Sequence, residues 1–273
     1  MRLCCVNINP EGPSQQLLPV LHEAMRRVRR PDTEVTIKCV EPGLHRGQDV
    51  NSAYFSILNK ASIVDKVMEA AAEGYDAAMV LCFLDPGVRE AREVVDIPVI
   101  GVAEASMFLA CQLGGKFAIV TLDEHKMMLE MEQNIRLYGL EDRVTRNPIV
   151  PIAIPMREWA TRGIHEPEWV AAEVKEKARL CLADGAEVVV VGCAALGPIV
   201  ALGGVSKIEG LEVPIIDCVQ AGLKAAEMRV EVAQRLGWVA SRAGMYAMPR
   251  EKDVQRVRHT FGLPVRPGIG TTT

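Results

Sequence analysis

Short apolar runs rich in Val and Ile recur along the chain: RLCCVNI (2–8), EVTIKCV (34–40), AAMVLC (77–82), IPVIGV (97–102), KFAIVT (116–121), RNPIVPIAI (146–154), EVVVVGC (187–193) and VPIIDCV (213–219). Their successive positions are apolar rather than alternating, which predicts strands buried on both faces. Between them, apolar residues at helical spacing predict helices over 14–30, 60–73, 123–138, 167–183 and 219–236. Two-sided strands that alternate with helices form parallel sheets covered by helices, so the expected fold class is α/β. The tail from about Pro249 is basic and then Pro/Gly/Thr-rich, ending VRPGIGTTT; it is expected to fray or to pack as an arm, without chemistry.

The pattern contains a repeat. GYDAAMVLC (74–82) matches GAEVVVVGC (185–193), so that Gly74, Asp76 and Cys82 fall in register with Gly185, Glu187 and Cys193. Downstream, IPVIGVAEAS (97–106) matches VPIIDCVQAG (213–222), with a longer link in the second copy. Loop insertions of that kind cost little. Duplicated halves with pseudo-twofold symmetry, facing each other, would bring Cys82 and Cys193 to opposite walls of one cleft.

At 273 residues the chain is long enough for two modest cores or one large one. Aromatic residues make up only 4% of it against 49% hydrophobic overall, so aliphatic side chains must fill the interior. Lys and Arg (31) nearly balance Asp and Glu (35) at a formal charge of -4, which implies no polyanionic partner such as nucleic acid. The basic run RRVRRP at 26–31 reads as a solvated helix end. The eight cysteines include no CxxC and no Cys/His cluster at zinc spacing, so no metal site is expected. RLCCVNI opens a strand rather than a signal peptide, and no apolar run reaches the ~18 residues of a membrane span. The expectation is a cytoplasmic protein with reduced thiols, apart from membranes, in which cysteines such as Cys4, Cys5, Cys39 and Cys181 are small core residues.

Cys82 and Cys193 differ from these others because both end a strand where a helix is about to start. In open α/β sheets ligands bind beyond the carboxyl ends of the strands, where helix N-termini present backbone N–H groups. Asp85 and Pro86 are expected to cap and open the helix after Cys82, and Gly197-Pro198 to do a similar job after Cys193. A helix N-terminus lowers a thiol's pKa, so one of the pair can exist as thiolate. With a carbon acid held between them, one thiol removes a proton from one face while the other delivers a proton to the opposite face. That inverts a stereocentre by general acid–base catalysis and needs no cofactor.

CFLDPGVREAREVVDIPVIGVAEASMFLA (82–110), together with KFAIVT, the later GCA and the NINP at 7–10, resembles the aspartate/glutamate/hydantoin racemase superfamily, and its hydantoin racemase branch most closely. The resemblance spans about 3–230 and implies two similar parallel-sheet lobes with the active site in the cleft between them. By that analogy residues 1–103 with 216–273 form one lobe and 104–215 the other. It implies Cys82 and Cys193 as the two catalytic thiols, a small-molecule substrate and a homo-oligomer. Leu84 stands where the branch has Gly, reshaping the pocket beside the first thiol, and Glu11-Gly12 replaces Asn-Thr.

Around the thiols, Phe83, Leu84, Ala194 and Ala195 are the candidate substrate contacts, although Phe83 reads equally as core. Such apolar neighbours disfavour a zwitterion, whose charges are costly to desolvate unpaired, and suit a ring such as a 5-substituted hydantoin or allantoin. Asn9 is a candidate to hydrogen-bond an amide-like substrate, with a turn-forming Asn-Pro as the alternative. Thr121 holds the family's position at the end of KFAIVT, with an N-cap as the alternative. Glu104 and Ser106 read as capping residues, and the loop at 43–53 with Tyr54 as a cover of the cleft. Two further readings remain at this point: an isomerase or decarboxylase of small carboxylates on the same scaffold, and a small-ligand binding protein without catalysis.

Overall fold

The computed structural model describes residues 1–155, 158 and 160–266. Among these, nine strands run in chain order: β1 (Arg2–Asn7), β2 (Glu34–Cys39), β3 (Ala77–Leu81), β4 (Val99–Gly101), β5 (Phe117–Thr121), β6 (Val144–Pro151), β7 (Val188–Val191), β8 (Lys207–Ile208) and β9 (Val213–Asp217). The principal helices are α1 (Leu18–Val28), α2 (Ala53–Ala72), α3 (Val88–Arg92), α4 (Val102–Leu113), α5 (His125–Leu137), α6 (Pro167–Ala183), α7 (Leu196–Leu202), α8 (Cys218–Leu236) and α9 (Glu251–Thr260). All the expected strands form, and β8 is an addition that their apolar pattern did not announce.

The first sheet has the order β2-β1-β3-β4 and the second β6-β5-β7-β9-β8. Every pairing is parallel except that of β8 with β9. Without β8 the two orders are the same, with β1, β2, β3 and β4 matched by β5, β6, β7 and β9. The internal repeat is therefore a repeat of topology, and it extends over whole lobes rather than the two motifs seen in sequence. The last helix of each half crosses to the other: α8 packs on β3 and β4, while α4 packs on β7 and β9 as well as on its own sheet. These two helices also lie against each other, on the pseudo-twofold axis.

Period-2 alternation explains the two-sided strands. Leu3, Cys5, Met79, Leu81, Phe117, Ile119, Val188 and Val190 face a core shared between the sheets, with α4 and α8. Cys4, Val6, Ala78 and Val80 face the outer layer of the first sheet under α2. Ala118, Val120, Val189 and Val191 face α6 and α7 on the second. Cys4, Cys5 and Cys181 are core residues, whereas Cys39 is only half-buried and accepts a 3.5 Å bond from Asn7 Nδ2.

The basic run at 26–31 ends α1, where Arg26 and Arg27 pair with Glu23 and Arg30 pairs with Asp32 and Glu231. Of the tail, α9 is anchored on α2 by an Arg258–Asp65 bond of 2.5 Å, and Arg266 joins the same carboxylate at 2.8 Å. This part is an arm packed on the first lobe. The terminal 267–273, also assigned to the tail, lie outside the described residues. No helix among the described residues is long and apolar enough to cross a membrane.

Candidate active site

Because β3 and β7 are equivalent central strands, the residues just beyond their carboxyl ends meet across the gap between the sheets. A cleft of about 290 Å³ opens there, and Cys82 and Cys193 both line it. It is close to the roughly 300 Å³ at which pockets for small molecules begin. Of the candidate contacts, Asn9, Phe83, Leu84, Ala194 and Ala195 also line it. Most of the remaining wall is aliphatic, including Leu17, Leu21, Leu122, Met127, Met131 and Ile164. The polar groups among the described lining residues are amides, a hydroxyl and one imidazole: Asn7, Asn9, Ser14, Gln16 and His45.

Thr121 stands apart from this set. It is fully buried, and its hydroxyl donates to the Gly192 carbonyl at 2.9 Å, fastening β5 to the residue before Cys193. Asn9 is held by a 2.7 Å bond from its Nδ2 to the Leu44 carbonyl, which ties the first strand's end to the covering loop. That loop contributes His45, Gly47 and Val50 to the cleft wall, and Asn51 crosses to Glu124 of the second lobe at 2.8 Å. Tyr54 is 67% exposed and Glu11 is exposed; neither lines the cleft.

The cap expected from Asp85 goes elsewhere. Its φ of +47° takes it out of helical geometry, and α3 starts only at Val88, after Gly87. The carboxylate instead accepts from the backbone N–H of Ala103 (3.0 Å) and Glu104 (2.8 Å), so it caps α4 from across the lobe. A third donor, the Tyr138 hydroxyl at 2.8 Å, reaches it from the end of α5 in the second lobe. Beside it, Asn134 Nδ2 donates to the Leu84 carbonyl at 3.1 Å. Glu104 pairs with Arg92, and the Ser106 hydroxyl bonds back to the Val102 carbonyl at 2.6 Å, so neither caps α4 as expected.

The second sheet ends on its own buried carboxylate in the matching place. Asp217 ends β9 and caps α8, with Oδ1 accepting from Val219 N–H at 2.9 Å. In the repeat, Asp217 aligns with Gly101, not with Asp85. The space is nevertheless the same. A Cβ at Gly101 would overlap the Asp85 carboxyl, and one at Gly197 would overlap Asp217 Oδ1. One lobe supplies its carboxylate from the loop after the thiol and glycine from the last strand; the other lobe exchanges the two sources.

The lowering expected of the thiols by helix N-termini is overridden by burial. Cys82 is pushed up to about 12, chiefly by burial, against a single stabilising backbone N–H from Leu84; Asp85 raises it further. Burial also raises Cys193, but two backbone N–H groups, of Leu196 and Ala195, oppose the rise. Burial raises the carboxyls as well, Asp85 to about 6 and Asp217 to about 7. Among the described residues no cluster of three His, Cys, Asp or Glu is arranged to hold a metal.

Asn7, Ser14, Asp217 and Tyr138 escaped the sequence reading. The one available signal was polarity inside apolar runs: Asn7 closes RLCCVN and Asp217 closes VPIID. Asn7 Nδ2 bonds Ser14 Oγ at 2.6 Å on the cleft wall.

Residues 6–226 match the model of the Asp/Glu/hydantoin racemase family. The hydantoin racemase of Pseudomonas sp. (strain NS671) is 30% identical over 257 residues, covering 93% of this chain and 95% of that protein. Among solved structures, the allantoin racemase from Klebsiella pneumoniae superposes with a TM-score of 0.75 at 25% identity, covering 92% of this chain and 94% of the other. The allantoin racemase from Pseudomonas fluorescens gives 0.73 at 25% identity, covering 92% and 97%. The chain thus belongs to the Asp/Glu/hydantoin racemase family, as an isomerase of the racemase type.

Proposed function

We propose that the protein racemises 5-substituted hydantoins by a two-thiol mechanism, with Cys82 and Cys193 as acid and base. The observation that carries this reading is that the two thiols, at equivalent strand ends of duplicated lobes, line one cleft. The C5–H of such a ring is acidified by its flanking carbonyl and nitrogen. One thiolate takes that proton, and the C–H electron pair moves into the carbonyl to form an enolate. The opposite S–H then protonates the other face, which leaves the two sulfurs with exchanged protonation states.

Wall chemistry supports the substrate class. Amide and hydroxyl groups at Asn7, Asn9 and Ser14 suit a neutral ring with carbonyl and N–H groups. The aliphatic remainder, with Leu84 beside the first thiol, suits an apolar 5-substituent over the polar ureido group of allantoin. Both the hydantoin racemase relative and the allantoin racemases are consistent with this class.

The test is incubation of single enantiomers of 5-alkyl and 5-aryl hydantoins and of allantoin in deuterated water, following optical rotation and isotope uptake. Rotation is expected to decay as deuterium enters C5, with apolar hydantoins fastest. Loss of activity by ~10²-fold or more is expected in both Cys82→Ala and Cys193→Ala. Full activity in either variant would overturn the two-thiol mechanism. Turnover of maleate or an arylmalonate without hydantoin exchange would move the protein to another reaction.

A further inference from the structure

The exchanged carboxylate–glycine pairs are alike in position but unlike in bonding. Asp85 has both oxygens occupied, by two backbone N–H groups and the Tyr138 hydroxyl. Asp217 is faced only by backbone, Val219 N–H on Oδ1 at 2.9 Å with the Gln220 N–H beside it, and its buried Oδ2 makes no hydrogen bond of its own. Three hydrogen bonds oppose the rise that burial imposes on a carboxyl and so favour its anion; a buried oxygen without one favours the neutral acid. Each lies behind one thiol, and a negative charge there opposes formation of the neighbouring thiolate.

We propose that Asp85 and Asp217 are positioning residues that make the two thiols unequal, so that Cys193 is the first to ionise and supplies the thiolate while Cys82 remains the protonated acid. This rests on the two-thiol reading of the site. The backbone acts in the same sense, since two N–H groups face the Cys193 sulfur and one faces that of Cys82. The direction of the carboxyl shifts agrees, with Asp217 raised further than Asp85.

The other ionisable neighbours preserve the inequality. Cys82 faces Asp85, Cys193 and Glu130, all of which oppose its ionisation, and the Glu130 carboxyl is itself raised by burial with Lys60 and Lys126 nearby. Glu104 bears on Asp85, but Arg92 pairs with it. The carboxylate that faces Cys193 is Asp217. Cys218, between the lobes, is raised well above the ordinary value by burial and then by Asp217, Cys193, Asp85 and Cys82, so it stays a thiol.

The experiment is alkylation of the wild-type protein by iodoacetamide across pH, with each cysteine followed by peptide mass mapping. The midpoint of each rate–pH curve reports ionisation, independent of differences in access. The Cys193 midpoint is expected to lie at least ~1 pH unit below that of Cys82. In Asp85→Asn the Cys82 midpoint falls towards that of Cys193, which itself stays in place. Tyr138→Phe, a milder change, moves the Cys82 midpoint in the same direction. Coincident midpoints in the wild type, or a lower one at Cys82, overturn the proposal. So does a Cys82 midpoint indifferent to both substitutions. No turnover enters the measurement, so a split of midpoints without hydantoin racemisation would sink the proposed function and spare this inference.

Discussion

The Tyr138 hydroxyl donates at 2.8 Å to the carboxylate of Asp85, and so fastens the loop that follows Cys82 to a helix of the opposite lobe. With the Asn134–Leu84 bond it forms a strap between the lobes, beside the loop that follows one of the two thiols. Lobe separation is thereby coupled to the position of Cys82.

Tyr138→Phe removes the strap's donor and leaves the packing of the ring intact. It is expected to cost about 1.5–3 kcal/mol, the range for a hydrogen bond to a charged group. Denaturant unfolding measures that loss, and kcat is expected to fall more than KM rises.

Gly101→Ala and Gly197→Ala each drive a methyl into a buried carboxyl, Asp85 in the first case and Asp217 in the second. Both variants are expected to lose racemase activity and stability together, the activity by tenfold or more. Gly12→Ala, where a Cβ meets nothing, serves as the control and keeps both. Unchanged kinetics in the first two would show that the carboxyl positions do not matter.

Both thiols lie above the ordinary thiol value, Cys82 at about 12 and Cys193 raised by burial. The thiolate fraction, and with it the rate, therefore increases as pH rises. The kcat/KM profile is expected to climb through the ordinary thiol value of about 8.5 instead of levelling below it. A plateau already reached at neutral pH would contradict the role of burial.

Asp217 titrates at about 7 in the folded protein against 3.8 for an unperturbed carboxyl. Its folded form holds the proton more tightly than the unfolded chain, so this group's contribution to stability is lost as pH rises from 3.8 to about 7. Asp217→Asn keeps the Oδ1 acceptor for Val219 and removes the ionisable oxygen. The variant is expected to melt several degrees higher than wild type at pH ~8, with the difference vanishing near pH ~4. Thermal unfolding at the two pH values checks this; a variant destabilised at both would refute the reading of Asp217 as a strained acid.

The strands and their burial were legible in the sequence because a strand covered on both faces must be apolar at successive positions, as in AAMVL and VVVV. The duplicated Gly–acid–Cys motif was enough to pair Cys82 with Cys193, since a residue just past a central parallel strand necessarily lies at the sheet's ligand-binding end. Which side chains stand behind those thiols was decided only by the tertiary structure. Asp85 looked like the cap of its own helix; instead its positive φ sends the carboxylate to α4 and to Tyr138, contacts that span 18 and 53 residues of chain. Gly101 aligns with Asp217 in the repeat, yet Asp85 fills the space beside it, because the fold conserved the position of a carboxylate and not the segment that brings it. Local spacing records strands, helices and the ends where they meet. Long-range contacts between lobes leave no periodicity in the chain, and here they set the electrostatic difference between two thiols that the sequence presents as equals.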